Sequence, residues 1–232
     1  MLKSEHCSEN YHNSVLRNQV TIQEQSPRER RHQRTQQAIL TAARQLLAEG
    51  GEENLSIRAI ADRIDYSPAG LYEYYGSKEE IISALCWEGH RTLKRYMEQV
   101  SLTLAPDQYI IELGMAYIQF AVLNPDYFRL IFTSSNTRPT QDDSIRIVPS
   151  AEMMSEDSSF LVLIRGVARA QEAGTIEFLP GLSVLETSYA FWTIVHGAAM
   201  LRITHLSQLK VDFDQADRLT ITAFIRGLAP GS

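Results

Sequence analysis

The sequence predicts an all-α protein with an N-terminal three-helix head and a larger helical C-terminal part. Two observations carry this. Between Thr35 and Lys78, apolar residues recur at helical spacing in three short segments separated by helix-stopping residues. From Ser77 to Leu228 the same period returns in a further series of segments, each opened by a capping residue, a proline or acids. At 232 residues and 44% hydrophobic content, the chain is long enough to bury a real core.

The head is read residue by residue. Ile39, Ala42, Ala43, Leu46 and Leu47 form the inward stripe of a first helix, which Gly50 and Gly51 stop. Ser56 is a good N-cap for a second helix whose Ile57, Ile60, Ala61 and Ile64 share one face. Asp65 and Tyr66 make a turn. Ser67 then caps a third, very short helix with Pro68 at its first position, where a missing N–H costs nothing. Two short helices joined by such a turn and braced by a preceding helix form a helix-turn-helix, which lays its second helix in the major groove of DNA. Ile60 and Leu71 are core residues in any such domain. Ser67, Ala69, Gly70, Tyr72 and Tyr74, however, are small or hydroxyl-bearing on a helix too short to be kept for burial alone.

The run SIRAIADRIDYSPAGLYEYYGSK, Ser56 to Lys78, resembles the TetR family of transcriptional regulators. The match lies in Ile60–Ala61, Leu71–Tyr72, the aromatic Tyr75 and Ser77–Lys78. Asp65 departs from it, standing where the family usually has glycine to take φ > 0; Asp tolerates that region better than most residues, at some strain. The resemblance implies a DNA-facing set of Arg34, Ser56, Ser67, Pro68, Ala69, Gly70, Tyr72, Tyr74 and Lys78. Within it, Tyr72 and Lys78 are expected on phosphates, and Ser67, Ala69, Gly70 and Tyr74 nearest base edges.

The formal net charge of −6 argues weakly against nucleic acid, but the local field over the contacting face is what matters. Arg28, Arg30, Arg31 and Arg34 cluster ahead of the head against a single Glu29, while acids gather later. Such arginines reach phosphates or an adjacent minor groove, or simply solvate the start of a helix. Residues 1–27 are expected to be a flexible tail, 28–78 the DNA-binding domain and 79–232 a ligand-binding and dimerisation domain. Cys7 and Cys86 suggest neither a disulfide scaffold nor a metal site, and Cys86 falls on an apolar stripe as a buried free thiol. No signal-like or bilayer-spanning run is seen, so the expected location is cytoplasmic, with no membrane partner.

In the C-terminal part, a helix of about Ser77 to Val100 has Ser77 as N-cap, Glu79 and Glu80 in its first turn and a long apolar face through Ile82, Leu85, Cys86, Gly89, Leu93 and Tyr96. Pro106 opens the next helix, and Asn124-Pro125-Asp126 starts a short one to Phe132. Thr133 to about Asp157 reads as a long loop. A helix resumes at Ser158 and ends at Gly174. Ser183 to Thr204 is apolar nearly all round: Leu185, Tyr189, Trp192, Val195 and Ala199 make one stripe, while Phe191, Ile194, Ala198, Met200 and Leu201 occupy other sides. One face can serve the core and another a second subunit, with Gly197, Ala198 and Ala199 permitting close approach. A final helix runs from about Asp214 to Gly227.

Asn124 to Phe132 and the Trp192, His196–Gly197 spacing resemble the C-terminal domain of one TetR branch, named for its Trp-His-Gly signature. That resemblance implies a ligand pocket and a four-helix homodimer interface, with the helix leaving the head acting as the lever that couples ligand to DNA release. The expected ligand-facing residues are Tyr117, Phe120, Tyr127, Phe128, Tyr189, Trp192 and His196, an inventory of ring faces and hydroxyls suited to a small hydrophobic effector. His196 can bind a ligand, titrate, hold metal, or be a core histidine satisfied by a neighbour. No His or Cys stands within a helical turn to complete a metal set, so neither metal nor cofactor is expected.

No phosphate loop, nucleophile elbow, H-E-x-x-H or C-x-x-C motif occurs, which disfavours an enzyme. The reading is a sequence-specific DNA-binding regulator, a repressor acting on a pseudo-palindromic operator as a homodimer and released by its effector. The alternative is a protein-interaction adaptor or helical small-molecule binder that has lost specific DNA binding, which the Asp65 departure and the negative charge would favour.

Overall fold

The computed structural model describes residues 26–133, 158–176 and 182–228. Among these residues there are helices and turns and no strand. The chain divides into two compact units, residues 1–37 and 38–232. Residues 1–25 of the expected tail, and residues 134–157 of the expected loop, lie outside the described residues.

In the first unit the chain is helical from Pro27. The first helix, α1 (Pro27–Gly50), therefore begins well before the stretch from Thr35 that its apolar stripe announces. The cause is a cap. Ser26 Oγ accepts from the Glu29 N–H at 3.2 Å while the Ser26 N–H donates to the Glu29 carboxylate at 2.7 Å, a reciprocal pair that starts a helix irrespective of any buried face.

In the second unit α1 buries Ile39, Ala42, Ala43, Leu46 and Leu47, as its stripe requires. A single 3₁₀ turn (Glu52–Asn54) leads to α2 (Ile57–Arg63) and α3 (Pro68–Leu71). Then follow α4 (Lys78–Glu98), α5 (Pro106–Leu123), α6 (Pro125–Thr133), α7 (Ser159–Glu172), α8 (Val184–Ile203) and α9 (Asp214–Gly227). The second unit has one contiguous apolar core, running from Ile39 to Leu228, so a functional division at Lys78 lies inside it. Cys86 sits in that core, where burial, and secondarily the negative charge of Glu52, push its thiol up to about 12, out of the range of thiolate chemistry.

Helix α5 is the axis of the C-terminal part, packing against α4, α6, α7, α8 and α9. Gly114 makes this possible. A Cβ there would stand 2.9 Å from Ile221 Cδ1, 2.9 Å from Phe191 Cζ and 3.0 Å from Val195 Cγ1, so three helices meet at a position that only glycine fits. This notch also decides which face of α8 turns inward. The helix buries Ser188, Phe191, Val195, Ala199 and Ile203, whereas Leu185 and Tyr189, of the same apolar stripe as Val195 and Ala199, are exposed. Ala190, Ile194, Gly197 and Leu201 point the other way, Leu201 being 51% exposed, while Ala198 lies at the edge between the two faces, partly buried against the core.

Arginines tie the helices through backbone carbonyls and acids. Arg129 donates to the Ile203 carbonyl at 2.6 Å, closing the C-terminus of α8, and Arg169 donates to the Leu104 carbonyl at 2.8 Å. Arg202 of α8 pairs with Asp214 and Asp217 of α9, and Arg218 of α9 pairs with Glu112 of α5. No helix among the described residues is long and apolar enough to cross a membrane.

Candidate nucleic-acid interface and aromatic site

The helix-turn-helix forms from local chemistry. Ser56 Oγ accepts from the Ala59 N–H at 3.1 Å and Ser67 Oγ from the Gly70 N–H at 3.0 Å, so each short helix begins with an orphan donor satisfied. Between them Asp65 takes φ 54°. The Tyr66 N–H then reaches back to the Ala61 carbonyl at 3.0 Å, the long bond of a Schellman-type helix end. The departure at Asp65 thus leaves the turn intact. Across the head, Arg63 of α2 grips the Glu49 carboxylate of α1 with both terminal nitrogens, each at 2.7 Å.

Ser56, Ser67, Pro68 and Ala69 are exposed, Tyr72 is 55% exposed, and Gly70 and Tyr74 are half-buried. A Cβ on Gly70 would come within 3.2 Å of the Ser67 hydroxyl and 3.3 Å of the Tyr66 ring, so a larger residue would press on the cap. Tyr66 and Tyr74 meet edge to face at 6.2 Å, bracing the two sides of α3. Lys78 is half-buried, and its ammonium donates to the Glu52 carbonyl at 3.4 Å, which uses one of its three N–H groups. Arg34 is exposed in the first unit. Exposed Arg58, two residues after the Ser56 cap, was not singled out from sequence; its exposure on the first turn of α2 is the signal that could have found it.

The expected ligand-facing residues divide into three groups. Tyr117, Phe128, Trp192 and His196 come together where α5, α6 and α8 meet. Trp192 Nε1–H donates to the Tyr117 oxygen at 3.0 Å, and 2.8 Å separates that hydroxyl from His196 Nδ1. The His196 ring stacks on Phe128 at 5.3 Å. Phe132 and Phe160, not anticipated, join them: Phe132 meets the His196 ring at 5.0 Å and Phe160 meets Trp192 at 5.5 Å. Phe132 lies one turn beyond Phe128, a spacing that places both rings on one side of α6. Burial drives the Tyr117 hydroxyl upward and holds the His196 imidazole below its usual range.

Phe120 is fully buried behind this cluster, against Tyr96 and Phe128. Tyr189, one turn before Trp192 on the same side of α8, is 62% exposed, so the enclosed part of that side begins at Trp192. Tyr127 points the other way along α6. Its ring lies under the Arg44 guanidinium of α1, and among the described residues its buried hydroxyl has no hydrogen bond of normal geometry. Burial first, and the Glu88 carboxylate second, push that hydroxyl upward. Among the described residues no group of His, Cys, Asp and Glu is placed to hold a metal ion.

Residues 39–85 match the family of bacterial regulatory proteins, tetR family, and residues 110–224 match the tetracyclin repressor-like C-terminal domain. The HTH-type transcriptional regulator YobS of Bacillus subtilis (strain 168) is 22% identical over 194 residues, 84% of this chain and 92% of that protein. The fold is similar to that of the TetR family transcriptional regulator PfmR from Thermus thermophilus, at 19% identity and a TM-score of 0.61 over 82% of this chain and 98% of that one. It is also similar to RolR in complex with resorcinol, at 16% identity and a TM-score of 0.55 over 86% of this chain and 90% of that one.

Proposed function

The chain belongs to the TetR family of bacterial transcriptional regulators, and from that premise we propose that it is a homodimeric repressor released from a pseudo-palindromic operator by a small hydrophobic effector. As a family member it is a DNA-binding regulator. The DNA-facing set proposed is Ser56, Ser67, Pro68, Ala69, Gly70, Tyr72, Tyr74 and Lys78, with Arg34 adding phosphate contacts. The effector binds against Tyr117, Phe128, Trp192 and His196. Two subunits meet through the outward apolar side of α8 at Ile194, Gly197 and Leu201, with Ala198 at its edge, and through Leu219 of α9.

One observation carries the coupling. Within six residues, α6 bears both the Tyr127 ring under Arg44 of α1 and the Phe128 and Phe132 rings against His196. A compound that displaces the rings of α6 therefore moves a contact of the head's first helix, and a ligand with differential affinity for the two arrangements shifts their populations. Resorcinol bound to RolR supports the view that this fold accepts a small aromatic effector. The adaptor alternative loses one of its two sequence grounds, because Asp65 closes the turn that a helix-turn-helix needs.

The test follows Trp192 emission in a Trp87→Phe background together with binding to the DNA upstream of the protein's own gene. Small aromatic compounds that change Trp192 emission should weaken operator binding. If they change the emission and leave operator affinity as it was, the repressor reading has lost its mechanism.

A further inference from the structure

The hydrogen-bond chain through Tyr117 has only one low-cost direction. The indole N–H of Trp192 can only donate, so it occupies a lone pair of the Tyr117 oxygen. The phenolic proton is left with His196 Nδ1 as its acceptor, 2.8 Å away. With Nδ1 protonated instead, both N–H groups would point at one oxygen, and the hydroxyl proton of a tyrosine only 5% exposed would have no acceptor, a costly arrangement. The relay Trp192 to Tyr117 to His196 thus fixes the imidazole with its proton on Nε2. Burial keeps the ring neutral. Among the described residues no acceptor receives the Nε2–H, and the ring's neighbours are the faces and edges of Phe128, Phe132 and Trp192.

Resting on the effector reading above, we infer that His196 Nε2–H is, among the described residues, the directional donor of the ligand site, and that the effector is an uncharged aromatic compound presenting a carbonyl or phenol-type oxygen to it. Tyr117 and Trp192 act as positioning residues that set the tautomer. An anionic ligand is disfavoured, because the rings supply no countercharge for a desolvated carboxylate. A plain hydrocarbon leaves the donor buried and unpaired.

The inference is tested first without any ligand. In protein carrying ¹⁵N-histidine, with the His196 signals assigned through His196→Gln, Nε2 should be protonated and Nδ1 bare, and Tyr117→Phe should erase that bias. A His196 protonated at Nδ1 overturns the inference. The second test compares acetophenone with cumene, which has a similar shape and no acceptor, by Trp192 emission in the Trp87→Phe background. Acetophenone should bind about ten-fold more tightly, the scale of one neutral hydrogen bond. The preference should survive in His196→Gln, whose amide nitrogen replaces Nε2, and vanish in His196→Asn, whose amide nitrogen replaces Nδ1. Equal affinity for both compounds, binding of neither at millimolar concentration, or a preference that persists in His196→Asn overturns it. Operator binding measured in parallel separates the two readings. Preferential acetophenone binding with unchanged operator affinity upholds the donor and sinks the repressor mechanism. Release of the operator by cumene as readily as by acetophenone upholds the repressor and sinks the donor.

Discussion

The guanidinium of Arg44 lies over the ring of Tyr127, 4.7 Å from its centroid, joining the first helix of the head to the short helix α6. Among the described residues the tyrosine hydroxyl beneath it is buried without a hydrogen bond of normal geometry. Tyr127→Phe should therefore keep the ring contact and remove an unsatisfied group, leaving stability unchanged or raising it by up to about 1 kcal/mol. Arg44→Ala should cost about 0.5–1 kcal/mol, the scale of an exposed cation–π contact. Urea unfolding of both variants checks the pair, and a destabilised Tyr127→Phe would mean that the hydroxyl has a partner after all.

The turn at Asp65 offers an ordering. Glycine removes the left-handed strain of about 1–2 kcal/mol but adds backbone entropy to the unfolded chain, so Asp65→Gly should be neutral or mildly stabilising. Asp65→Ala should cost about 1 kcal/mol and Asp65→Val more, since a β-branched side chain tolerates φ 54° worst. Denaturation midpoints in which Gly falls below Asp, or in which Asp, Ala and Val fail to descend in that order, would contradict the strain argument.

Lys78→Ala should weaken binding to specific and unrelated DNA alike and lower the salt slope of log K by about one unit. Because the ammonium also donates to the Glu52 carbonyl, the variant's melting temperature is measured beside its affinity. A slope equal to wild type removes Lys78 from the phosphate contacts.

Ala198→Arg should turn a dimer into a monomer and abolish operator binding with it, since an unpaired charge in an apolar contact costs several kcal/mol. Leu219→Arg on α9 should act the same way, from a side chain already 61% exposed in one subunit. Sedimentation decides: a wild-type protein that is monomeric at micromolar concentration excludes this interface.

Burial lowers the imidazole values of His90 and His196 in the folded state. Between the folded and unfolded values the unfolded chain binds more protons, so stability is full above the ordinary histidine value of about 6.5 and declines as pH falls through it. The salt-bridged carboxylate Glu112 is held low by Arg218 and contributes its own loss only at more acid pH. Unfolding free energies measured from pH 8 to pH 5.5 should therefore fall in wild type, less in His196→Gln and least when His90 is also replaced by Gln. Parallel profiles in all three proteins would show that neither histidine is responsible.

The head was legible because its information is local. Caps at Ser56 and Ser67, the proline at the start of α3 and the turn at Asp65 each act through the nearest few residues, so the expected helices and the observed ones agree closely. The same locality hid the true start of α1, where the Ser26–Glu29 pair needs no apolar stripe to announce it. Helix α8 was ambiguous for a different reason. Being apolar on every side, it has no preferred inward face until Gly114 on another helix opens a notch for Phe191 and Val195, and that pairing is set by three-dimensional packing. Tyr127 lies apart from Phe128 because consecutive residues on a helix point about 100° apart, one toward Arg44 and the other toward His196, a divergence that a list of aromatics in one segment does not register.

The brevity of α3 has a consequence that belongs to information rather than to energy. A helix of four residues can bring only three or four side chains to base edges, enough to specify about four base pairs. Any such word recurs by chance roughly every few hundred base pairs, while a genome offers about a million or more competing sites. One head alone would be spread over thousands of indistinguishable addresses. Doubling the word with a second head at a fixed spacing squares the odds against a chance match, so the outward face of α8 and α9 is as much a part of how this protein would read a sequence as the residues that touch the bases.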